Sequence, residues 1–275
     1  MISKTTPTVH MGQIVGAEAR KLYATNPVIL LPMGSQEDQG PHAPMGDYLL
    51  AEKIAELAAL RAYANGVPTV VAPVVAFGGA DWFGAMPGGI ALSQSTLTQV
   101  IREMIDNLHR HGLTRIVFIN GHGGNVGPIA EIAREVYLAK KLVHPSLYLW
   151  RIAYGMLTKM LGPEKAAAVS GHGADPLTSV LYHLFPGAVA EEHIPGANPL
   201  KRDKLMGLQF TTLGAVSFEG HEIGMPQEYD EVYNAGVSKG DPRLSSVETG
   251  KALTESLVDV CARFVALYAS KTKPA

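Results

Sequence analysis

Pro27-Val28-Ile29-Leu30-Leu31 is an unbroken apolar run, and it gives way to Gly34-Ser35-Gln36-Glu37-Asp38-Gln39-Gly40-Pro41-His42, with Asp47 shortly after. A continuous apolar run is the pattern of a strand covered on both faces, because odd and even side chains alike meet apolar neighbours. Leu50, Ile54, Leu57 and Ala58 then recur at helical spacing. The Gly40-Pro41 turn folds Glu37 and Asp47 back toward one point. The unit is a strand, a donor-rich turn and a helix, and α/β sheets place their sites at such strand ends.

Working outward, the same alternation repeats. Thr69 to Val74 reads as a second strand, and Leu97, Val100, Ile101, Met104, Ile105 and Leu108 mark an amphipathic helix stopped by Gly112. Arg115 to Ile119 is a third strand, Ile129 to Lys141 a helix, and Ser146 to Trp150 a further strand. Strands joined through helices imply right-handed βαβ crossovers. The expected fold is therefore α/β, a three-layer α/β/α sandwich on a mostly parallel central sheet. Residues 191–243 are richer in Gly, Pro and polar residues and read as loops and short strands over the site or at a subunit contact. The stripe Leu253, Leu257, Val260, Cys261, Phe264, Val265, Tyr268 predicts a closing helix, and residues 1–275 read as one domain.

Composition narrows the class of function. With 47% hydrophobic and 17% charged residues over 275 positions, the chain can bury a large core. A formal net charge of -2 and no Lys/Arg cluster give no general attraction to nucleic acid or an anionic membrane. A small-molecule substrate is the simpler expectation. Cys261 is the only cysteine, which excludes an intramolecular disulfide, and its place on a helical stripe marks it as inert core. Met1 to Asn26 has no apolar stretch behind basic residues and no run reaches transmembrane length, so a cytoplasmic protein is expected.

Two further turns carry donors: Asn120-Gly121-His122-Gly123-Gly124-Asn125 and Gly171-His172-Gly173-Ala174-Asp175. Carboxylates and imidazoles converging at strand ends suit a zinc or manganese ion, held at about 2.0 to 2.2 Å. Each group also has a plainer reading. Asp47 and Asp175 each precede a helix and are suited to cap it. The turn from Gly121 to Asn125 has backbone N–H groups at a helix start, as a phosphate cradle would. Against that cradle, neither the Gly-x-Gly-x-x-Gly nor the Lys-Ser/Thr phosphate fingerprint is present.

Taken with Met86-Pro87-Gly88-Gly89-Ile90, Thr178-Ser179 and Gly240-Asp241-Pro242, these segments resemble, in order, the motifs of the creatininase family of metal-dependent amidohydrolases. The resemblance implies a creatininase-like fold, metal ligands at Glu37, Asp47 and His122, and an acid/base or substrate-contacting role for His172, with Asp175 beside it as a second catalytic candidate. It also implies a homo-oligomer, often a hexamer. Departures from the family pattern are specific. Gln39 stands where an imidazole ligand is usual, Leu177 where a Glu is usual, and Gly124 where creatininases proper carry an acidic ligand. The turn after His42 is one residue shorter. The chain thus retains a complete three-ligand site and has lost at least two donors to a second metal, so one ion per chain is expected rather than two. Asp38, His42, Asp81, Asp175 and Glu219 are the candidate replacements.

The activity this implies is hydrolysis of a carbon-nitrogen bond in a small, cyclic amide by metal-activated water, with Trp82, Phe83 and Trp150 as candidate walls for a flat substrate. Two rival readings are a metal-dependent lyase or isomerase on the same scaffold, and a degenerate homologue that binds a ligand without turnover.

Overall fold

The computed structural model describes residues 8–79, 82, 86–196, 201–212, 214–232 and 236–272. Helix α1 (Gly16–Tyr23) leads into strand β1 (Val28–Met33), followed by α2 (Tyr48–Ala64), β2 (Thr69–Val71), α3 (Gln94–Arg110), β3 (Ile116–Asn120), α4 (Val126–Lys140) and β4 (Ser146–Tyr148). The four strands pair in parallel in the order β2-β1-β3-β4.

Every residue of β1 and of β3 is buried, and alternate side chains feed two different cores. Val28 and Leu30 of β1 and Val117 and Ile119 of β3 pack on the face covered by α2 and by three later helices, α5 (Leu149–Leu161), α7 (Leu177–Leu184) and α9 (Val247–Lys271). Ile29, Leu31, Ile116 and Phe118 pack on the opposite face against α3 and α4. This is the three-layer α/β/α sandwich the apolar runs imply. Burying each Leu or Ile side chain contributes roughly 1.5 to 3 kcal/mol, so the apolar run of β1 is a main source of the fold's stability.

The strand order positions the site. From β1 the chain steps to β2 on one side and then crosses to β3 on the other, so the loops leaving β1 and β3 diverge and open a crevice at their carboxyl ends. The two strands stay in register to their last residues, Met33 opposite Asn120.

Two expectations are corrected. The second strand ends at Val71, short of Val74; Pro73 follows with no N–H to continue the ladder, and Val75 forms only an isolated bridge to Met33. The stretch read as a strand from Ser146 to Trp150 changes type at Leu149, where α5 begins. Its buried residues Leu149, Trp150, Ala153 and Leu157 have helical spacing, which the short apolar run Leu147 to Trp150 concealed. A further helix, α6 (Pro163–Val169), follows α5.

Residues 191–243 contain short strands, as expected. Strands β5 (Lys204–Leu205), β6 (Leu208–Thr212), β7 (Ala215–Phe218) and β8 (His221–Gly224) form a separate antiparallel sheet, followed by the short helix α8 (Tyr229–Val232). A small core of Phe210, Val216, Tyr229 and Val232 packs with Trp82 and Met86, which joins this sheet to the loop that precedes α3. Helix α9 runs along α2 and α7 with Leu253, Leu257, Cys261, Val265 and Tyr268 buried. Burial pushes the Cys261 thiol up to about 12, consistent with an inert core residue. Among the described residues, no helix is long and apolar enough to cross a membrane.

Candidate metal centre

The floor of the crevice is built from the β1–α2 and β3–α4 turns. Gly34 ends the first strand where no side chain fits, since a Cβ there would collide with the Tyr48 backbone and the Asp47 carboxylate. That close approach lets the Ser35 N–H donate to Asp47 Oδ1 at 2.7 Å. Asp47 occupies the N-cap position of α2 but makes no side-chain cap bond. Its carboxylate is turned away from the helix instead, with Oδ2 lying 3.2 Å from His122 Nδ1. The plain capping role for Asp47 is therefore not what the structure shows. Glu37 Oε1 lies 3.1 Å from the same nitrogen.

The ring of His122 is aimed by the turn that carries it. Asn120 holds both ends of the His122 peptide, accepting from its N–H at 3.0 Å and donating to its carbonyl at 2.7 Å. Asn125 donates to the Gly34 carbonyl at 3.1 Å and accepts from the Gly79 N–H at 3.0 Å, which ties β1 to the segment after β2. The carbonyl of Gly79 then accepts from His122 Nε2 at 2.9 Å, which puts the proton of the neutral ring on Nε2 and leaves the Nδ1 lone pair facing the two carboxylates. The N–H groups of Gly121, His122 and Asn125 all have internal acceptors, which takes three of the turn's donors away from a phosphate cradle.

Glu37, Asp47 and His122 are all buried, and their ligand atoms lie within 4.8 Å of one another. A tetrahedral zinc with bonds near 2.1 Å separates its ligand atoms by about 3.4 Å, so the 3.1 and 3.2 Å spacings on Nδ1 fit such an ion closely. Charge points the same way. Burial pushes the Asp47 carboxyl up to about 6, against the opposing pull of His122. Burial also opposes charge on His122, but Glu37 and then Asp47 outweigh it and hold that imidazole well above its ordinary range. Among the described residues no Lys or Arg is paired to this cluster, so Asp47 and His122 hold protons more strongly than usual, and a divalent cation meets the same need for positive charge.

The departure at Gln39 now has a physical reading. Its amide donates to Glu37 Oε1 at 3.0 Å, so the residue in the imidazole's place orients a carboxylate with an N–H. Among the described residues, none of the other candidate replacement donors joins the cluster. Asp38 accepts from Gly40 N–H at 2.8 Å, His42 lies 3.4 Å from Thr178 Oγ1, and Glu219 is exposed in the β7–β8 turn. Asp81 lies outside the described residues.

Above the floor is a cavity of about 340 Å³, lined by Trp82, Tyr148, Trp150 and Tyr154 together with His172 and Lys239. The Trp150 indole N–H donates to the Gly121 carbonyl, pinning that wall to the β3–α4 turn. His172 is half-buried, its Nε2 lies 2.6 Å from the Asp38 carbonyl, and its ring packs edge-on against Tyr229 with 5.2 Å between centroids. Burial lowers its pKa, with Glu37 acting in the opposite sense. Asp175 does not line the cavity; its Oδ1 accepts from Ser179 N–H at 3.0 Å in the first turn of α7. The structure thus parts the two catalytic candidates, placing His172 at the cavity and Asp175 at a helix start. Trp82 and Trp150 stand where the sequence suggested, whereas Phe83 lies outside the described residues. Tyr148, Tyr154, Lys239 and the Gly79 carbonyl were missed. Only the paired glycines Gly78-Gly79 carried a sequence signal.

A family model described as creatinine amidohydrolase (Creatininase) matches residues 13–265. The chain is 27% identical over 265 residues to a mycofactocin precursor peptide peptidase from Mycobacterium tuberculosis (strain CDC 1551 / Oshkosh), covering 94% of this chain and 92% of that one. It is 27% identical over 253 residues to a 3-dehydro-scyllo-inosose hydrolase from Thermotoga maritima, covering 86% and 76% respectively. A solved manganese creatininase superposes with a TM-score of 0.71 at 22% identity, covering 98% of this chain and all of that one, which supports the fold.

Proposed function

The chain belongs to the creatininase family of hydrolases, and from that premise we propose that it is a metal-dependent hydrolase of a carbon-nitrogen bond in a small amide. The observation that carries this reading is the floor, where Glu37, Asp47 and an Nδ1 lone pair oriented by the Gly79 carbonyl meet with spacings that suit one ion. These three residues would hold zinc or manganese, as in the manganese creatininase of the same fold. When bound, the ion would supply water acidified toward neutrality and polarise the amide carbonyl. One ion per chain is proposed, because Gln39 offers Glu37 a proton donor where a second ion would need a ligand.

The protein's own groups supply the rest. His172, with its Nε2 proton directed at the Asp38 carbonyl, has Nδ1 as its proton-accepting atom. Burial favours the neutral ring, so it can take a proton from the attacking water and return it to the leaving nitrogen. Trp82 and Trp150 flank the floor and offer flat apolar surface to a planar amide. The test is elemental analysis of the purified protein, followed by a panel of cyclic and linear amides with and without chelator. About one zinc or manganese per chain is expected, with cleavage lost on chelation and restored by metal. Metal-free protein whose activity ignores chelators would overturn the proposal.

A further inference from the structure

Lys239 is the only lysine or arginine among the described residues that line the cavity, and its surroundings fix where it stands. On one side of it, Ser238 is bonded twice to His172: its N–H donates to the His172 carbonyl at 2.9 Å, and its hydroxyl accepts from the His172 N–H at 2.7 Å. On the other side, Gly240 is packed so tightly that a Cβ would come within 2.7 Å of Ser170 and 2.8 Å of Ala174. The next residue, Asp241, donates its N–H to the Ala168 carbonyl at 3.0 Å. The backbone around Lys239 is therefore stitched to the segment that carries His172, and the side chain stands at the cavity rim. The nearest carboxylate in sequence, Asp241, is engaged by Arg243 at 2.6 Å, and among the described residues no carboxylate forms an ion pair with Lys239.

We propose that Lys239 is a specificity-determining residue that receives a carboxylate of the substrate, so that the preferred substrates are amides carrying an anionic group beside the scissile bond. This deepens the hydrolase reading and rests on it. With a divalent cation at the floor, the charges of Glu37 and Asp47 are balanced, and Lys239 leaves the cavity with one excess positive charge. An anion is thereby drawn to the rim, while the aromatic walls accept the apolar part of the same molecule. The arrangement separates two tasks, with the floor facing the amide and Lys239 facing the carboxylate.

The chain contains two tryptophans, Trp82 and Trp150, and both line this cavity, so intrinsic fluorescence reads its occupancy without any turnover. The experiment titrates the full-length, zinc-supplied protein with hippurate and with hippuramide, which share a ring and an amide and differ in the carboxylate. Hippurate should bind about tenfold more tightly than hippuramide, with an advantage that shrinks as salt is raised. K239Q should erase the difference, K239E should invert it, and K239R should retain it. Equal binding of the two compounds by the parent, quenching by neither, or discrimination that survives in K239Q would each overturn the proposal, the last by placing the carboxylate on the ion. A parent that discriminates yet cleaves no amide would remove the hydrolase reading and leave Lys239 as an anion receptor.

Discussion

Asp47 and Asp175 both sit on glycine-containing turns just ahead of a helix, Asp47 at the N-cap of α2 and Asp175 one residue before the N-cap of α7, yet their carboxylates do opposite things. At Asp47 the helix goes without a side-chain cap, and the carboxylate turns back to Ser35 and His122. At Asp175 the carboxylate turns forward and satisfies the Ser179 N–H of α7. The difference lies in what each helix start faces. Asp47 stands against the end of β1, where Gly34 lets the backbone close in and present an N–H. Asp175 is buried beneath α7 with its Oδ1 on the Ser179 N–H, and of the pair only His172 lines the cavity. Proximity in a motif is thus a poor guide to membership of a site, because a tight turn can send adjacent side chains in opposite directions.

The largest expected effect tests the Asp47 side. Asp47→Asn keeps an oxygen for Ser35 and the shape of the side chain but removes a charged ligand, and metal affinity should fall by at least about a hundredfold, beyond the usual cost of losing a group that merely orients a ligand. Activity should fall with it while circular dichroism stays that of the parent. Undiminished zinc or manganese binding in a titration would return Asp47 to an ordinary helix-start residue.

A smaller effect is expected at the wall. His172→Gln should leave metal content at the parental level and lower turnover by about 10² to 10⁴, the usual range for a lost proton-transfer group. Single-turnover rates together with elemental analysis separate the outcomes: lost metal would make His172 part of the floor, and a parental rate would remove it from the chemistry.

The smallest effect belongs to Asp175. Asn caps as well as Asp, so Asp175→Asn should change turnover by no more than about twofold, whereas Asp175→Ala should cost about 1 kcal/mol in denaturant unfolding. If Asp175→Asn slowed the reaction as deeply as His172→Gln, the two residues would act together and the contrast drawn between the turns would fail.

Much of the fold was legible in the chain because its signals are local. The apolar runs of β1 and β3 name themselves as doubly buried strands, and the spacing along α3 and α9 names their buried faces. Helix α5 was not legible, since it begins immediately after β4 with Leu149 and Trp150 and a short apolar stretch has no period of its own. Within the site, Glu37, Asp47 and His122 were visible as donors on glycine-rich turns. The loss of imidazole at Gln39 was visible too, but the bond from its amide to Glu37 was not.

By itself, then, the sequence determined which residue types sit at strand ends, and in what order, because periodicity and glycine placement act over a few residues. Only the tertiary structure decided which atoms meet. His122 reaches Asp47 across 75 positions, His172 reaches Asp38 across 134, and the Ser238 hydroxyl that seats Lys239 beside the cavity reaches His172 across 66. Such contacts are set by the strand order and by the packing of two helical layers on one sheet, and local sequence preferences do not encode them.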